Sequence, residues 1–220
     1  MVGIKCIIFD CDGVLVDTES IMISVLLEMA GQPSVMDLDE AVSLFSGRQI
    51  LETIKMLEER SGKIFPANFE NEFRKKVYER FTKEVKPIAG VSDLLSDVKL
   101  PYCVASSGPR EKIELNLGLT GLLRFFEPNR IFSSYEVGSW KPDPGIFLHA
   151  ANSMGYSPSA CAVIEDSLAG VKAGLAGGFH VYAFVNDHNE KTLADEGVQV
   201  FREMSELPFL LGLRNELTGL

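Results

Sequence analysis

The sequence predicts an α/β fold: a doubly wound parallel sheet with a small helical domain inserted after the first strand. Three observations carry that expectation. Short apolar runs at residues 4–9, 102–105 and 161–164 each end in a polar or acidic cluster, and short runs that are apolar on both faces mark parallel strands covered by helices. Segments with helical spacing stand between them, at residues 111–119, 144–154 and 168–175, so strand and helix alternate as an open parallel sheet requires. From Asp17 to Lys86 that alternation stops.

In chain order, the first strand (4–9) leads directly to Asp10. Amphipathic helical stretches follow at 20–30, 38–44, 49–60 and 68–84, with no convincing strand among them. The chain returns near Pro87 and Gly90, residues suited to a turn or hinge. The strand at 102–105 ends at Ser106, and the strand at 161–164 ends at Glu165. Residues 130–133 and 180–185 are weaker strand candidates. The expected organisation is therefore a core of residues 1–16 and 87–220 with a helical insertion of residues 17–86.

At 220 residues the chain has room for one large domain or one core carrying a modest insertion. Hydrophobic residues make up 46% and charged residues 24%, which excludes disordered and fibrous classes. Its 21 basic residues against 31 acidic ones, a net charge of −10, cannot supply the cation density that nucleic acid or an anionic membrane demands. Small phosphorylated substrates stay compatible, because a metal ion and a few local cations override net charge. No signal peptide and no run of about 18 apolar residues is found. Cys6, Cys103 and Cys161 lie in or beside apolar runs and no cysteines form a CxxC pair. Reduced thiols in a cytoplasmic, monomeric protein are the expectation. His149, His180 and His188 are too scattered for a metal cluster or a triad.

In open α/β sheets the active site lies at the carboxyl ends of the strands. The polar residues ending the three best strands should therefore converge: Asp10 and Asp12, Ser106, and Glu165 with Asp166. Four carboxylates in one crevice repel one another, and the usual remedy is a hard cation with oxygen ligands, Mg²⁺ above all. A lone Asp-x-Asp more often caps a helix or lines a turn. Here Gly13 and the apolar Val14-Leu15-Val16 follow at once, which weakens that reading.

The segment Ile8-Phe9-Asp10-Cys11-Asp12-Gly13-Val14-Leu15-Val16-Asp17-Thr18-Glu19 resembles the first motif of the haloacid dehalogenase superfamily, in its sugar-phosphatase and β-phosphoglucomutase-like branch. Val104-Ala105-Ser106-Ser107-Gly108 is similar to the second motif, Lys141-Pro142-Asp143-Pro144 to the third and Val163-Ile164-Glu165-Asp166-Ser167 to the fourth, in order and at fitting separations. The stretch from Trp140 through Tyr156 to Gly174 is also similar to the 6-phosphogluconate phosphatases of that branch.

The resemblance implies a Rossmann-like core, a helical cap at residues 17–86 and phosphoryl transfer through an aspartyl-phosphate. Asp10 would be the nucleophile and Asp12 the general acid and base. Ser106, Ser107 and Lys141 would bind the phosphoryl oxygens, and Asp10, Asp12, Glu165 and Asp166 would hold Mg²⁺. Glu165 would ligate directly or orient a metal-bound water. Cys11, between two acids, is expected to be passive, because neighbouring carboxylates disfavour its thiolate.

Arg48 in the insertion and Arg110 beside the second motif are the candidates for meeting the substrate's hydroxyls or carboxylate. In the mutase members a histidine commonly follows the first motif. This chain has Met22 there, which cannot relay a proton. Hydrolysis of a small sugar phosphate or sugar-acid phosphate is therefore expected over isomerisation. The alternatives are a β-phosphoglucomutase-like phosphotransferase and a non-catalytic protein that binds a phosphorylated metabolite.

Overall fold

The computed structural model describes residues 3–31, 36, 38–45 and 50–213. The chain divides into two compact units, Met1–Val16 with Pro87–Leu220, and Asp17–Lys86.

Among the described residues the smaller unit carries four helices. They follow β1 (Cys6–Phe9) and β2 (Val16–Asp17): α1 (Glu19–Ala30), α2 (Leu38–Phe45), α3 (Ile50–Ser61) and α4 (Phe69–Glu84). Ile23, Leu26, Leu27 and Ala30 on α1 recur at the i, i+3, i+4, i+7 spacing of a single helix face, and all four are buried. Phe69, Phe73, Val77 and Phe81 form the matching stripe on α4. These two stripes, with Ala41, Phe45 and Leu57, make one apolar core. α1 ends at Gly31, whose φ of 66° is a left-handed conformation that glycine adopts without steric cost.

The larger unit begins with β1 and resumes at β3 (Lys86–Pro87), which pairs with β2 in a two-stranded ribbon. Then come α5 (Val91–Asp97), β4 (Tyr102–Ser106), α6 (Arg110–Leu119), β5 (Ile131–Ser133), α7 (Ser134–Val137) and α8 (Gly145–Met154). The unit closes with β6 (Cys161–Glu165), α9 (Leu168–Ala176), β7 (His180–Phe184), α10 (Glu190–Ala194), β8 (Gln199–Phe201) and α11 (Leu207–Leu210). The sheet is parallel throughout, in the order β5-β4-β1-β6-β7-β8. Every residue of β1 and β6 is buried, as the apolar runs at residues 6–9 and 161–164 require. One face packs Cys6, Ile8, Ala105 and Val163 against Phe147, Ala150 and Val171 of the helices.

From β1 the chain steps one way to β4 and β5, then returns to the other side of β1 for β6, β7 and β8. That reversal opens a crevice at the carboxyl ends of the strands flanking β1. Asp10 follows β1 there, Ser106 ends β4 and Glu165 ends β6. The four cysteines are free and buried. Among the described residues no helix is long and apolar enough to cross a membrane.

Candidate active site

Asp10 continues the ladder of β1, its amide donating to the Ile164 carbonyl at 2.9 Å, so the sheet itself holds its backbone. The chain then turns tightly. The amides of Leu15 and Val16 both donate to the Cys11 carbonyl, at 2.9 and 3.0 Å, and Gly13 donates to the Val16 carbonyl at 2.8 Å. Gly13 takes φ 83°, a conformation that side chains with a Cβ resist. A Cβ at Gly13 would also overlap the Asp166 carboxylate, so this glycine lets Asp166 lie directly against the Asp10–Asp12 turn.

Lys141, in the loop before α8, sends its ammonium between Asp10 and Glu165 and pairs with both carboxylates. All three residues are buried, Glu165 completely. The ammonium also lies 4.8 Å from the centroid of the Phe147 ring, a cation–π contact. The Lys141–Pro142 peptide is cis. Asp143 ties this loop to the helix start by accepting hydrogen bonds from Ser139 Oγ at 2.6 Å and the Gly145 amide at 2.8 Å.

Burial would by itself lower the Lys141 ammonium, but the charges of Asp10 and Glu165 raise it well above the ordinary lysine value. It is therefore a permanent cation. Burial pushes the Asp10 carboxyl from 3.8 up to about 7, against the pull of Lys141 and with the help of Glu165 and Asp12. Burial, followed by the charges of Asp12 and Asp10, pushes the Cys11 thiol up, so it is an unreactive neighbour.

Glu165 is held at both carboxylate oxygens. Its Oε1 meets Lys141, and its Oε2 accepts from the amides of Asp166 and Ser167, at 3.0 and 2.9 Å, and from Ser167 Oγ at 2.9 Å. A Cβ at Gly170 would overlap this carboxylate, so α9 closes tightly over it. Both oxygens of this carboxylate are thus engaged, one by the lysine and one by the β6–α9 turn.

Arg110 is likewise turned to another use. It pairs with Glu136 at 2.6 Å and Glu114 at 3.4 Å, and donates to the carbonyls of Ile131 at 2.6 Å and Pro128 at 3.2 Å. This network ties α6 to β5 and α7 rather than offering a free guanidinium to a substrate. Arg48 lies outside the described residues. Ser106 is 1% exposed, and its Oγ accepts from the Gly108 amide at 3.1 Å, while half-buried Ser107 stands next to it.

Two neighbours of the site escaped the reading of the sequence. Lys112 Nζ reaches Asp12 Oδ2 at 2.7 Å, across 100 positions of chain. Residues two apart on a helix point about 200° apart, so an arginine at 110 that faces β5 puts residue 112 on the opposite side. Helical periodicity was the available signal. Asn189 Nδ2 donates to the Asp166 carbonyl at 2.9 Å. That loop-to-loop bond has no local signature.

The described residues hold no group of three or more His, Cys, Asp or Glu side chains placed to bind a metal ion. A hard cation such as Mg²⁺ would be held here by Asp10, Asp166 and the main-chain carbonyl of Asp12, an all-oxygen set completed by waters. The glycine cradle that brings Asp166 against the turn fits that group.

A family model described as haloacid dehalogenase-like hydrolase matches residues 7–184. The chain belongs to that family. The 6-phosphogluconate phosphatase of Escherichia coli (strain K12) is 33% identical to this haloacid dehalogenase-like hydrolase over 212 residues, 96% of each chain. A solved haloacid dehalogenase-like protein of unknown function from Agrobacterium tumefaciens is 33% identical, with a TM-score of 0.87 over 96% of this chain and 99% of that one. A HAD family hydrolase from Deinococcus radiodurans, solved with bound phosphate and sodium, is 27% identical, with a TM-score of 0.83 over 97% of both chains. The relatives and the four ordered motifs thus agree on the family, and the doubly wound sheet is the fold they share.

Proposed function

We propose that this hydrolase removes phosphate from a small sugar phosphate or sugar-acid phosphate, 6-phosphogluconate among the candidates, through a phosphoryl group carried on Asp10. The observation that supports this reading best is the buried Asp10–Lys141–Glu165 constellation at the carboxyl end of β1. It sets a carboxylate nucleophile beside a fixed cation where a phosphoryl group could sit.

In the first half-reaction an Asp10 oxygen attacks phosphorus while the bond to the sugar oxygen breaks, and Asp12 gives that leaving oxygen a proton. In the second, Asp12 takes a proton from water, whose oxygen attacks the phosphorus of the aspartyl-phosphate, releasing phosphate and restoring Asp10. Lys141 and the Ser106 hydroxyl hold the transferring oxygens in place, the ammonium as a compact permanent charge. Asp10, Asp166 and the Asp12 carbonyl would hold Mg²⁺, which when bound offsets the charge of one anion approaching another. Cys11 takes no part.

Helical residues 17–86 serve in this reading as the cap that selects the leaving group, with Arg48 as the cation for a sugar-acid carboxylate. Met22, where the mutases carry histidine, packs among the apolar residues of the helical unit and favours release of phosphate over its return to the sugar. The buried free thiols accord with a reducing, cytoplasmic setting. The 96% mutual coverage with the Escherichia coli phosphatase supports the substrate class.

The test is phosphate release by the purified protein with Mg²⁺ and with EDTA, over a panel containing 6-phosphogluconate and β-glucose 1-phosphate. The expected result is metal-dependent release, lost in Asp10→Asn and fastest for the sugar acid. Conversion of β-glucose 1-phosphate to the 6-phosphate without release would make the protein a mutase.

A further inference from the structure

The two aspartates of the Asp10-Cys11-Asp12 turn are each met by a different lysine from elsewhere in the larger unit. Asp10 is paired with Lys141, from the loop before α8. Asp12 is paired with Lys112, from the first turn of α6, at 2.7 Å between Nζ and Oδ2. The first pair belongs to the phosphoryl site described above, whereas the second has so far been given no task.

Its geometry is specific. The Lys112 and Asp12 side chains are 15% and 24% exposed, so the pair sits at the rim of the crevice and not on the open surface. Lys112 stands on a helix whose start is anchored from the other side by Arg110, bonded to Glu136 and to the carbonyls of Pro128 and Ile131. The chain entering that helix is held by Ser133 Oγ, which donates to the Gly108 carbonyl at 2.7 Å. The ammonium is thus delivered to Asp12 from a braced helix end rather than from a free loop.

An ammonium can only donate hydrogen bonds. The carboxyl oxygen it faces, Oδ2, therefore accepts from it. We infer that Lys112 is a positioning residue for Asp12: by holding Oδ2 it fixes the rotamer in which the carboxyl meets the leaving oxygen. This inference rests on the reading of Asp12 as general acid and base. In the step concerned, the Asp10–phosphorus bond forms, the bond from phosphorus to the leaving oxygen breaks with its electron pair going to that oxygen, and a proton moves to it from Asp12. Lys112 acts on this step only through Asp12.

A positioning role is separable from a merely structural one by leaving-group dependence. A sugar alkoxide needs a proton as it departs, whereas p-nitrophenolate departs without one. The experiment compares formation of the phosphoenzyme in single-turnover mixing with Mg²⁺, from 6-phosphogluconate and from p-nitrophenyl phosphate, in wild type, Lys112→Met and Lys112→Arg.

The expected result for Lys112→Met is a loss of roughly 10- to 100-fold with the sugar phosphate, carried in kcat with KM little changed, since a small misplacement of a catalytic group has that effect. Phosphoenzyme formation from the aryl ester should stay within about 3-fold of wild type, because that step does not draw on the acid. Lys112→Arg, which keeps a donor-only cation, should recover most of the sugar-phosphate rate. Equal losses with both esters, or no loss with either, would overturn the inference. If Lys112→Met does not fold, Lys112→Gln against Lys112→Arg makes the same comparison. Failure of the underlying phosphatase reading looks different: wild type itself would form no phosphoenzyme from either ester.

Discussion

Lys141→Met is expected to abolish measurable phosphatase activity and to lower the thermal midpoint by about 10 °C. The variant keeps an unbranched apolar stem but removes the ammonium shared by Asp10 and Glu165, and with it the cation–π contact to Phe147. Two carboxylates would then face one another in a buried site. Taking away one partner of a buried ion pair costs about 3–5 kcal/mol, because the remaining charge stays desolvated.

The effect should depend on pH in a definite direction. In the metal-free wild type the folded Asp10 carboxyl, raised from 3.8 to about 7, holds its proton where the unfolded chain has lost it. Stability therefore falls as pH rises through that window. Removing Lys141 takes away the charge that holds the Asp10 carboxyl down, so it rises further and the deficit of the variant should be larger at about pH 8 than at about pH 6. Thermal melts of both proteins in EDTA at the two pH values check this. A variant as stable as wild type at both would mean that Lys141 is not the counter-ion described here.

Gly13→Ala is expected to cost roughly 100-fold or more in metal-dependent activity and to weaken the response to Mg²⁺. Two effects combine. The residue sits at φ 83°, where an added Cβ strains the backbone, and that Cβ would displace the Asp166 carboxylate. Gly155→Ala separates the two, because Gly155 has φ 80° with nothing within 4 Å of the added atom. It should lose about 1–2 kcal/mol of stability from the same kind of strain while keeping its activity and its Mg²⁺ dependence. Activity measured against Mg²⁺ concentration in the two variants decides the matter. Equal behaviour would show that the contact of Gly13 with Asp166 has no bearing on the metal.

The parts of this architecture that could be read from the chain are those in which burial is written into consecutive residues. β1, β4 and β6 are apolar on both faces, and the helices of residues 17–86 repeat their apolar positions with the helical period. β8 was not legible: it is three residues long, at the edge of the sheet, and begins with exposed Gln199. The β2–β3 ribbon is two residues on each side, too short to carry a pattern.

In the site, the motifs supplied the residue types but not their partners. Glu165 reads as a metal ligand because it precedes Asp166, yet its neighbours are an ammonium 24 positions earlier in the chain and the first amides of its own turn. Arg110 reads as a substrate cation because it follows the second motif, and Glu136, 26 positions further on, claims it. Pairings at that separation depend on how the strands are ordered, which no local pattern records. Lys112 is the intermediate case, since a helical projection from Arg110 turns it toward Asp12.

The most direct measurement of the central claim is to mix the enzyme with 6-phosphogluconate and Mg²⁺, quench in acid during turnover, and map the peptides by mass spectrometry. The account predicts one phosphoryl group on the peptide containing Asp10, absent without metal and absent in Asp10→Asn. Phosphate release at an undiminished rate by Asp10→Asn, or a phosphoryl group on any other residue, would contradict it.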